Sequence, residues 1–317
     1  MQAAAPSFEE NVSLSELTAV EPLAHGGFCV VCSCVYRARR AILKTTRPAA
    51  AGSSSPSGSS EAVEDLLTEI SIYRQIAQRG GGHPNIARAF GAGFHVQAGE
   101  ASPTPFLLLE KLDGGTLEDA FGRSTALWSD PVGRLPVAVE LAEALVFLHG
   151  SAIPGGVVLH RDLKPSNIGL CGQGHVKVFD LGLSVVRPAL GPTTATYEMS
   201  GMAGSKRFMA PEVCLMLEYN EKVDVYSFAL VLWQICALRK PFAGMSEAEH
   251  FRDVVRGGLR PPLDPRWPPQ LSHLLQACWQ VDPEGRPSML QARDTLRQIL
   301  WMGCGGGGGG GGSVPWS

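Results

Sequence analysis

The sequence predicts a fold of mixed α and β structure, and three stretches carry that prediction. From Leu17 to Leu43 the apolar pattern is typical of strand, turn, strand and strand. From Val137 to Leu148 apolar residues recur at the spacing of one helix face. The apolar run from Tyr226 to Leu238 is too short to cross a bilayer and is interrupted by polar residues, which favours a buried core helix.

The bulk properties of the chain limit its class. Its 317 residues are long for one domain and short for three, so two lobes that share one site fit the length. With 44% hydrophobic and 18% charged residues, most of the chain is expected to be globular. The formal net charge of −3 gives no sign of nucleic-acid binding or of a polybasic membrane patch. We therefore expect neither nucleic-acid partners nor membrane insertion.

The eight cysteines are scattered, and only Cys29, Cys32 and Cys34 lie close together. No second pair or histidine follows them at zinc spacing, and they alternate along a strand-like run, which favours free thiols over metal ligands. Free thiols indicate a reducing compartment. The N-terminus lacks the basic start and apolar core of a secretory signal, so we expect a cytoplasmic protein.

The first third of the chain alternates strand patterns with flexible stretches. Residues 1–16 are expected to be a poorly ordered lead-in. The turn from Leu23 to Val31 contains Gly26 and Gly27, and glycines there would let backbone N–H groups approach phosphate oxygens closely. Alone, this turn is weak evidence for such a site, and a plain hairpin is the favoured interpretation. The stretch Pro48 to Glu61, rich in Ala, Ser, Gly and Pro, predicts a flexible insertion.

Two further elements complete this region. Apolar residues from Val63 to Ala77 recur at helical spacing, with Glu69 on the same segment. The fully apolar stretch Phe106 to Leu109, followed by Glu110, predicts a buried strand. The glycine-containing stretch Asp113 to Leu117 then breaks the pattern.

The stretch His160 to Asn167 is the most informative in the chain, because an acid, a base, a guanidinium and an amide fall within eight positions. Pro165 argues against a continuous helix, so a polar loop is predicted after the helix that ends near Leu148. Downstream, Val176 to Phe179 alternates like a strand and leads into a second acid, Asp180.

These motifs resemble those of eukaryotic protein kinases. His160-Arg161-Asp162-Leu163-Lys164-Pro165-Ser166-Asn167 matches H-R-D-x-K-x-x-N, Asp180-Leu181-Gly182 resembles D-F-G, and the segment Gly204 to Glu212 resembles G-T-x-x-Y-M-A-P-E. The resemblance implies a bilobal α+β kinase fold over residues 17–300. A small lobe (17–112) would hold a five-stranded sheet and one helix, and a larger helical lobe (113–300) would follow. Residues 301–317 would be a disordered glycine-rich tail.

The resemblance also implies the roles of the catalytic residues. Asp162 would accept the hydroxyl proton, and Lys164 would lie against the transferring phosphate. Lys44, at the end of a strand similar to V-A-I-K, would hold the α- and β-phosphates of ATP while paired with Glu69. Ser205 would bond both Asp162 and Lys164. Mg²⁺ would be bound by Asn167 and Asp180.

Nucleotide-binding residues are implied in the same way. The loop matches the family pattern G-x-G-x-x-G-x-V only partly, because Ala24 and Cys29 replace two glycines. Gly169 stands where the family has a leucine below the adenine, so a thinner floor is expected. The resemblance implies further nucleotide contacts in four places. They are Gly26, Gly27 and Val31 in the loop, Ala41 with Val31 in the adenine slot, Leu109 as the gatekeeper beside the adenine, and Glu110 and Leu112 in the hinge.

Three further contacts follow from the resemblance. A phosphate on one of the hydroxyls between residues 183 and 203 (Thr193, Thr194, Thr196, Tyr197 and Ser200) would pair with Arg161, although an unmodified loop explains them equally well. Asp224 would hold the catalytic-loop backbone. Arg286 would form a buried bidentate pair with Glu212.

The leading hypothesis is an ATP- and Mg²⁺-dependent Ser/Thr protein kinase. Lys164-Pro165 favours Ser/Thr acceptors in a protein substrate, and Cys278-Trp279 is typical of the tyrosine-kinase-like group. The altered glycine loop and Gly169 keep open a pseudokinase that acts as a scaffold. Phosphorylation of a small molecule is a third possibility, and the peptide-binding motif from Gly204 to Glu212 argues against it.

Overall fold

The computed structural model describes residues 8–25, 29–47, 57–78, 82–96, 103–122, 132–189 and 205–303. The loop glycines Gly26 and Gly27, the five hydroxyls between Thr193 and Ser200, and the glycine run after Gly303 lie outside these ranges. Among the described residues, no helix combines the length and apolar character needed to cross a bilayer.

The strands form one five-stranded sheet and two short two-stranded sheets. Their bounds are β1 Leu17–His25, β2 Cys29–Tyr36, β3 Arg39–Thr46, β4 Ala89–His95, β5 Thr104–Glu110, β6 Gly156–Leu159, β7 Ile168–Leu170, β8 Val176–Val178 and β9 Val185–Pro188. The helices are α1 Ser57–Ala77, α2 Leu117–Phe121, α3 Leu135–Gly150, α4 Pro211–Cys214, α5 Lys222–Ala237, α6 Glu247–Glu249, α7 Pro269–Cys278 and α8 Met289–Gly303. A π-helix, His250–Arg256, continues α6.

The N-terminal lobe is a five-stranded antiparallel sheet in the order β1-β2-β3-β5-β4, with α1 packed on one face. Side chains alternate along β3 and β5, so the two faces of the sheet contribute to two separate hydrophobic clusters. Phe106 and Leu108 face a small cluster with Ala41, while Leu107 and Leu109 join the main core together with residues of α1. In the centre of the sheet, Lys44 pairs with Val31 on β2 and with Leu107 on β5.

Residues 8–16 differ from the expected disordered lead-in, because they lie along the edge strand β4. The Glu9 N–H donates to the Phe90 carbonyl, the Ala92 N–H donates back to the Glu9 carbonyl, and the Val12 N–H donates to the Ala92 carbonyl, each at 3.0 Å. Val12 is 4% exposed. Pairing with an open sheet edge satisfies backbone groups that this segment would otherwise leave to water.

Two other boundaries differ from the sequence prediction. Helix α1 begins at Ser57, inside the stretch predicted to be a flexible insertion. Once a helix is nucleated, each added residue gains a hydrogen bond at little cost in free energy. Residues 48–56 of that stretch lie outside the described residues. Helix α8 ends at Gly303, three residues into the expected tail. Apolar residues on its inner face, such as Leu296 and Ile299, pack into the main core.

The C-terminal lobe is mostly helical and is built around α5, whose residues from Lys222 to Cys236 are all buried. Helix α3 packs against α5, α8 and the short strands β6 and β8. The hairpin β7–β8 follows the catalytic-loop motif, as the alternation after Val176 predicted. The fold is therefore the bilobal α+β architecture that the sequence predicted.

Candidate active site

The cleft between the two lobes brings together a lysine from β3 and two carboxylates that are distant in sequence. The Lys44 Nζ atom lies 2.7 Å from Glu69 Oε2 and 2.6 Å from Asp180 Oδ1. Glu69 is fully buried on α1, and its other oxygen accepts the Leu181 N–H at 3.2 Å. The predicted Lys44–Glu69 ion pair is confirmed, and it joins the sheet, α1 and the segment after β8.

The charges around Lys44 perturb each other. Burial alone would lower the pKa of Lys44, but the carboxylates of Glu69 and Asp180 raise that pKa well above its ordinary value. Burial would raise the pKa of Asp180, yet the Lys44 ammonium lowers it overall. Lys44 is therefore a cation and Asp180 an anion at neutral pH, which is the charge state that phosphate and metal binding require.

A second cluster forms around Asp162 in the loop after β6. Asp162 Oδ2 accepts from Lys164 Nζ at 2.7 Å and from Asn167 Nδ2 at 3.0 Å, while Oδ1 accepts from the Ser205 N–H at 2.7 Å. Lys164 Nζ also donates to Ser205 Oγ at 2.8 Å. The predicted contacts of Ser205 with Asp162 and Lys164 are both present. The carboxylate is thus held in one orientation by three donors.

Asp224 on α5 fixes the backbone of this loop from the core side. Its carboxylate accepts the N–H groups of His160 at 2.8 Å and Arg161 at 2.9 Å, and it lies 2.9 Å from His149 Nε2. Arg161 has a φ of 67°, a left-handed conformation that is uncommon for arginine. The bonds to Asp224 stabilise that conformation, so the predicted anchoring role of Asp224 is confirmed geometrically.

Asn167 and Asp180 provide a donor set that suits Mg²⁺. The Asn167 amide nitrogen is used by Asp162, through its backbone carbonyl at 2.9 Å and its carboxylate, so the amide oxygen is what Asn167 can offer a cation. Asp180 uses Oδ1 for Lys44, and its second oxygen can serve a metal. Mg²⁺ usually takes one or two protein oxygens and completes its shell with water and substrate phosphates. The residues therefore fit this ion.

A cavity of about 220 Å³ lies beside the hinge, next to these clusters. Val31, Leu109, Glu110 and Leu112 line it, as the resemblance implied. Ala41 does not. It is 0% exposed and faces the small cluster behind the sheet, whereas Ile42 lines the cavity. Side chains alternate along β3, so residues on the Lys44 face lie two positions apart, and the expectation for Ala41 was wrong.

Part of the hinge, which begins at Glu110, already takes part in hydrogen bonds within the protein. The Glu110 N–H donates to the Arg88 carbonyl at 2.8 Å, and the Glu110 side chain accepts the Arg88 N–H at 2.8 Å. Lys177 on β8 forms an ion pair with the same carboxylate at 3.0 Å. Donors for a bound base would therefore come from positions after Glu110 in the hinge. The Glu110–Lys177 pair, which the sequence did not suggest, ties the hinge to the second lobe.

The floor of the cavity at Gly169 is not thin, as the missing side chain led us to expect, because neighbouring side chains fill it. A Cβ atom there would lie 2.2 Å from Leu112 Cδ1 and 3.3 Å from Phe179 Cε1, so these two side chains already fill the space. Sequence analysis missed Phe179 as well as Ile42. Alternation from Lys44 could have identified Ile42, but no local pattern indicates where the Phe179 ring points.

The comparisons with known proteins agree with this geometry. Residues 17–296 match the sequence model of the protein tyrosine and serine/threonine kinase family. A probable serine/threonine-protein kinase of Dictyostelium discoideum is 31% identical over 288 residues, which are 91% of this chain and 28% of that protein. Mitogen-activated protein kinase kinase kinase 7 of Drosophila melanogaster is 29% identical over 290 residues, 91% of this chain and 38% of that protein.

A plant relative gives a similar match. The serine/threonine-protein kinase VIK of Arabidopsis thaliana is 32% identical over 240 residues, which are 75% of this chain and 51% of that protein. The chain thus spans about half or less of the length of these relatives.

Proposed function

The chain belongs to the protein tyrosine and serine/threonine kinase family, and from that premise we propose that it transfers the γ-phosphoryl group of Mg-ATP to a serine or threonine hydroxyl of a protein. One observation carries the proposal. Lys164 Nζ bridges Asp162 and Ser205 in the same cleft in which Lys44 pairs with Asp180. This arrangement joins a phosphate-binding cation and a metal-binding carboxylate to a candidate base.

At the nucleotide end, Lys44 would hold the α- and β-phosphates, and its two carboxylate partners keep the ammonium aimed at them. Asp180 and Asn167 would hold the metal. Mg²⁺, when bound, neutralises the charge on the β- and γ-phosphoryl oxygens. The protein's contribution is mainly to fix these charges before the substrates arrive.

At the acceptor end, Asp162 would receive the proton of the substrate hydroxyl as its oxygen bonds to the γ-phosphorus. The bond from that phosphorus to the leaving oxygen of ADP breaks in the same step. Lys164, which is 2.7 Å from Asp162, would neutralise charge on the phosphoryl group in transit. No further co-reactant is needed, because the electron pair of the broken bond leaves with ADP, whose phosphates would lie beside Lys44.

The preference for Ser and Thr rests on Lys164 and Ser205. Their hydrogen bond at 2.8 Å ties the catalytic loop to the start of the segment that would present the substrate peptide. The relatives from Dictyostelium and Arabidopsis are also named as serine/threonine kinases. A seryl or threonyl hydroxyl is the acceptor that this argument favours.

The test is transfer of radiolabelled γ-phosphate from ATP to a generic protein acceptor. Replacing Asp162 by Asn keeps the shape of the side chain and removes the base, so the rate is expected to fall on the order of 10²–10⁴-fold. Asp294→Asn, at an exposed position on α8, is the matched control and should transfer at the wild-type rate. Equal rates for wild type and Asp162→Asn would refute the role given to Asp162.

A scaffold with little catalysis is the second candidate, favoured by Ala24 and Cys29 in place of two loop glycines. A scaffold that binds nucleotide would gain thermal stability with Mg-ATP, about 2.7 kcal/mol at a ligand concentration of 100 Kd, without transferring phosphate. The transfer assay separates the two candidates, because only the kinase labels the acceptor.

A further inference from the structure

Phe179 lines the hinge cavity, and its backbone is held by two contacts with the catalytic loop. The Phe179 N–H donates to the Asn167 carbonyl at 3.1 Å, and the Phe179 carbonyl lies 3.3 Å from His160 Nε2. Both partners belong to the catalytic loop. The residue immediately after it is Asp180, which is held by Lys44. The backbone of Phe179 is therefore fixed to the same framework as the catalytic residues.

Gly169 lies close to this ring and to Leu112, and a side chain there would need Leu112 to move. It pairs with Lys177 across the β7–β8 hairpin and forms a bridge with Thr116, so its backbone is held on both sides. A Cβ atom at this position would lie 2.2 Å from Leu112 Cδ1 and 3.3 Å from Phe179 Cε1. The volume that a residue at 169 would occupy is taken by Leu112 and Phe179.

The opposite wall of the cavity is apolar and comes from Leu23, Val31 and Ile42 of the sheet. A flat base that enters the cavity would therefore be enclosed by aliphatic side chains on one face and by Phe179 with Leu112 on the other. Stacking of a base on an aromatic ring contributes to affinity in proteins that bind single-stranded nucleic acid.

From this geometry we propose that Phe179 is a base-binding residue, whose ring, together with Leu112, forms the surface on which the base of the nucleotide stacks. Residue 169 is a glycine because that surface is supplied from these two positions. The inference rests on the proposed function, since it concerns the nucleotide that the kinase would use. It predicts that side-chain volume added at position 169 can compensate for side-chain volume removed at position 179.

A double-mutant cycle tests the exchange, with ADP as the probe and calorimetry as the readout. Phe179→Ala should weaken ADP binding about tenfold or more, because the base loses its stacking surface. Gly169→Leu alone should also weaken binding, because its Cβ atom would displace Leu112 and the rest of its side chain would crowd the Phe179 ring. The variant with both changes should bind ADP more tightly than either single variant, since leucine then fills the space that alanine leaves.

Controls separate binding from folding. Phe94→Ala, at a position 57% exposed on β4, should bind ADP like wild type. Phe179→Leu keeps most of the apolar volume and lacks the aromatic face, so it should fall between wild type and Phe179→Ala. Melting temperatures of all variants show whether each is folded, and Phe179→Leu carries the test if Phe179→Ala does not fold.

The outcomes also separate this inference from the proposed function. Unchanged ADP affinity in Phe179→Ala, or in Phe179→Leu where alanine does not fold, would overturn the stacking role. The stacking role would also be overturned if the losses of ADP affinity from the two single changes simply add up in the variant with both. A wild-type protein that binds ADP, follows the predicted cycle and transfers no phosphate would refute the kinase activity and leave the stacking surface in place. A wild-type protein that binds no ADP would refute both.

Discussion

Lys44, the residue proposed to hold the phosphates of the nucleotide, is held by two carboxylates from different elements. Glu69 and Asp180 approach its Nζ atom from α1 and from the segment after β8, at 2.7 and 2.6 Å. A long lysine side chain would otherwise sample many rotamers, so the pair reduces the freedom that must be lost when phosphate binds.

The contribution of Glu69 can be isolated by Glu69→Gln. The amide oxygen can still accept the Leu181 N–H, but the charge that orients Lys44 is gone. We expect kcat/KM for phosphoryl transfer to fall on the order of 10- to 100-fold, because a small displacement of a positioning group is costly. Steady-state kinetics at varied ATP provides the measurement.

A matched control lies on the same helix. Glu64 is exposed on α1, so Glu64→Gln makes the same chemical change away from Lys44 and should leave kcat/KM unchanged. The positioning role fails if Glu69→Gln and Glu64→Gln give the same kinetics as wild type.

The limits of sequence prediction at the residue scale are clearest on β3 and just after β8. Asp162 and Asn167 were placed by the resemblance of their motif to that of kinases. Ile42 was also within reach, since a strand places alternate residues on one face. The Phe179 ring was not, because the position of its backbone depends on contacts with residues 160 and 167 that no local pattern indicates.

At the scale of elements, the segment from residue 8 to residue 16 links the sheet edge to α1. Its backbone pairs with β4, and Glu10 forms two hydrogen bonds with Arg74 of α1, at 2.6 and 2.9 Å. That pair is exposed and contributes little by itself. The close backbone approach to Gly91 does more, because a Cβ atom there would lie 2.4 Å from the Glu9 carbonyl oxygen.

Gly91→Ala should therefore displace this segment from β4. Because the contact is with backbone and cannot be relieved by a rotamer change, we expect a loss of about 1–3 kcal/mol in the free energy of unfolding. For a chain of this size the melting temperature should fall by several degrees. Differential scanning calorimetry provides the measurement.

Gly150→Ala serves as the comparison. Nothing lies within 4 Å of a Cβ atom at Gly150, the last residue of α3, so alanine there should leave the melting temperature unchanged or raise it slightly. If Gly91→Ala melts like Gly150→Ala, the segment does not depend on its contact with β4.

Elements with a strong period were predictable, and this segment was not. Helices α3 and α5 and strand β5 were foreseen because their apolar residues repeat at the helical or strand spacing. Residues 8–16 lack such a period. Their order comes from two glycines about 80 positions later on β4, where a missing side chain admits another backbone.

In the molecule as a whole, buried charged groups connect segments of the helical lobe that are distant in sequence. Arg286 and Glu212 form the predicted bidentate pair, with distances of 2.6 and 2.9 Å, and both are buried. Asp224 links α5 to the loop backbone. Neither link is local in sequence, so both were predictable only from the resemblance to kinases.

The same holds for the site between the lobes. Lys44, Glu69 and Asp180 come from three elements, and no periodicity indicates that they meet. The family motifs supplied that expectation, and the fold supplies its reason: the sheet, α1 and the hairpin β7–β8 converge on one cleft. The central claim is that this convergence forms one site for a metal-bound nucleotide.

Calorimetric titration of ATP into the wild type and into Asp180→Asn, each with Mg²⁺ and with a chelator, tests that claim most directly. The account predicts that Mg²⁺ tightens ATP binding to wild type at least about tenfold, or about 1.4 kcal/mol, and that Asp180→Asn loses this dependence. Wild-type affinity that is the same with Mg²⁺ and with chelator, or full Mg²⁺ dependence in Asp180→Asn, would contradict it.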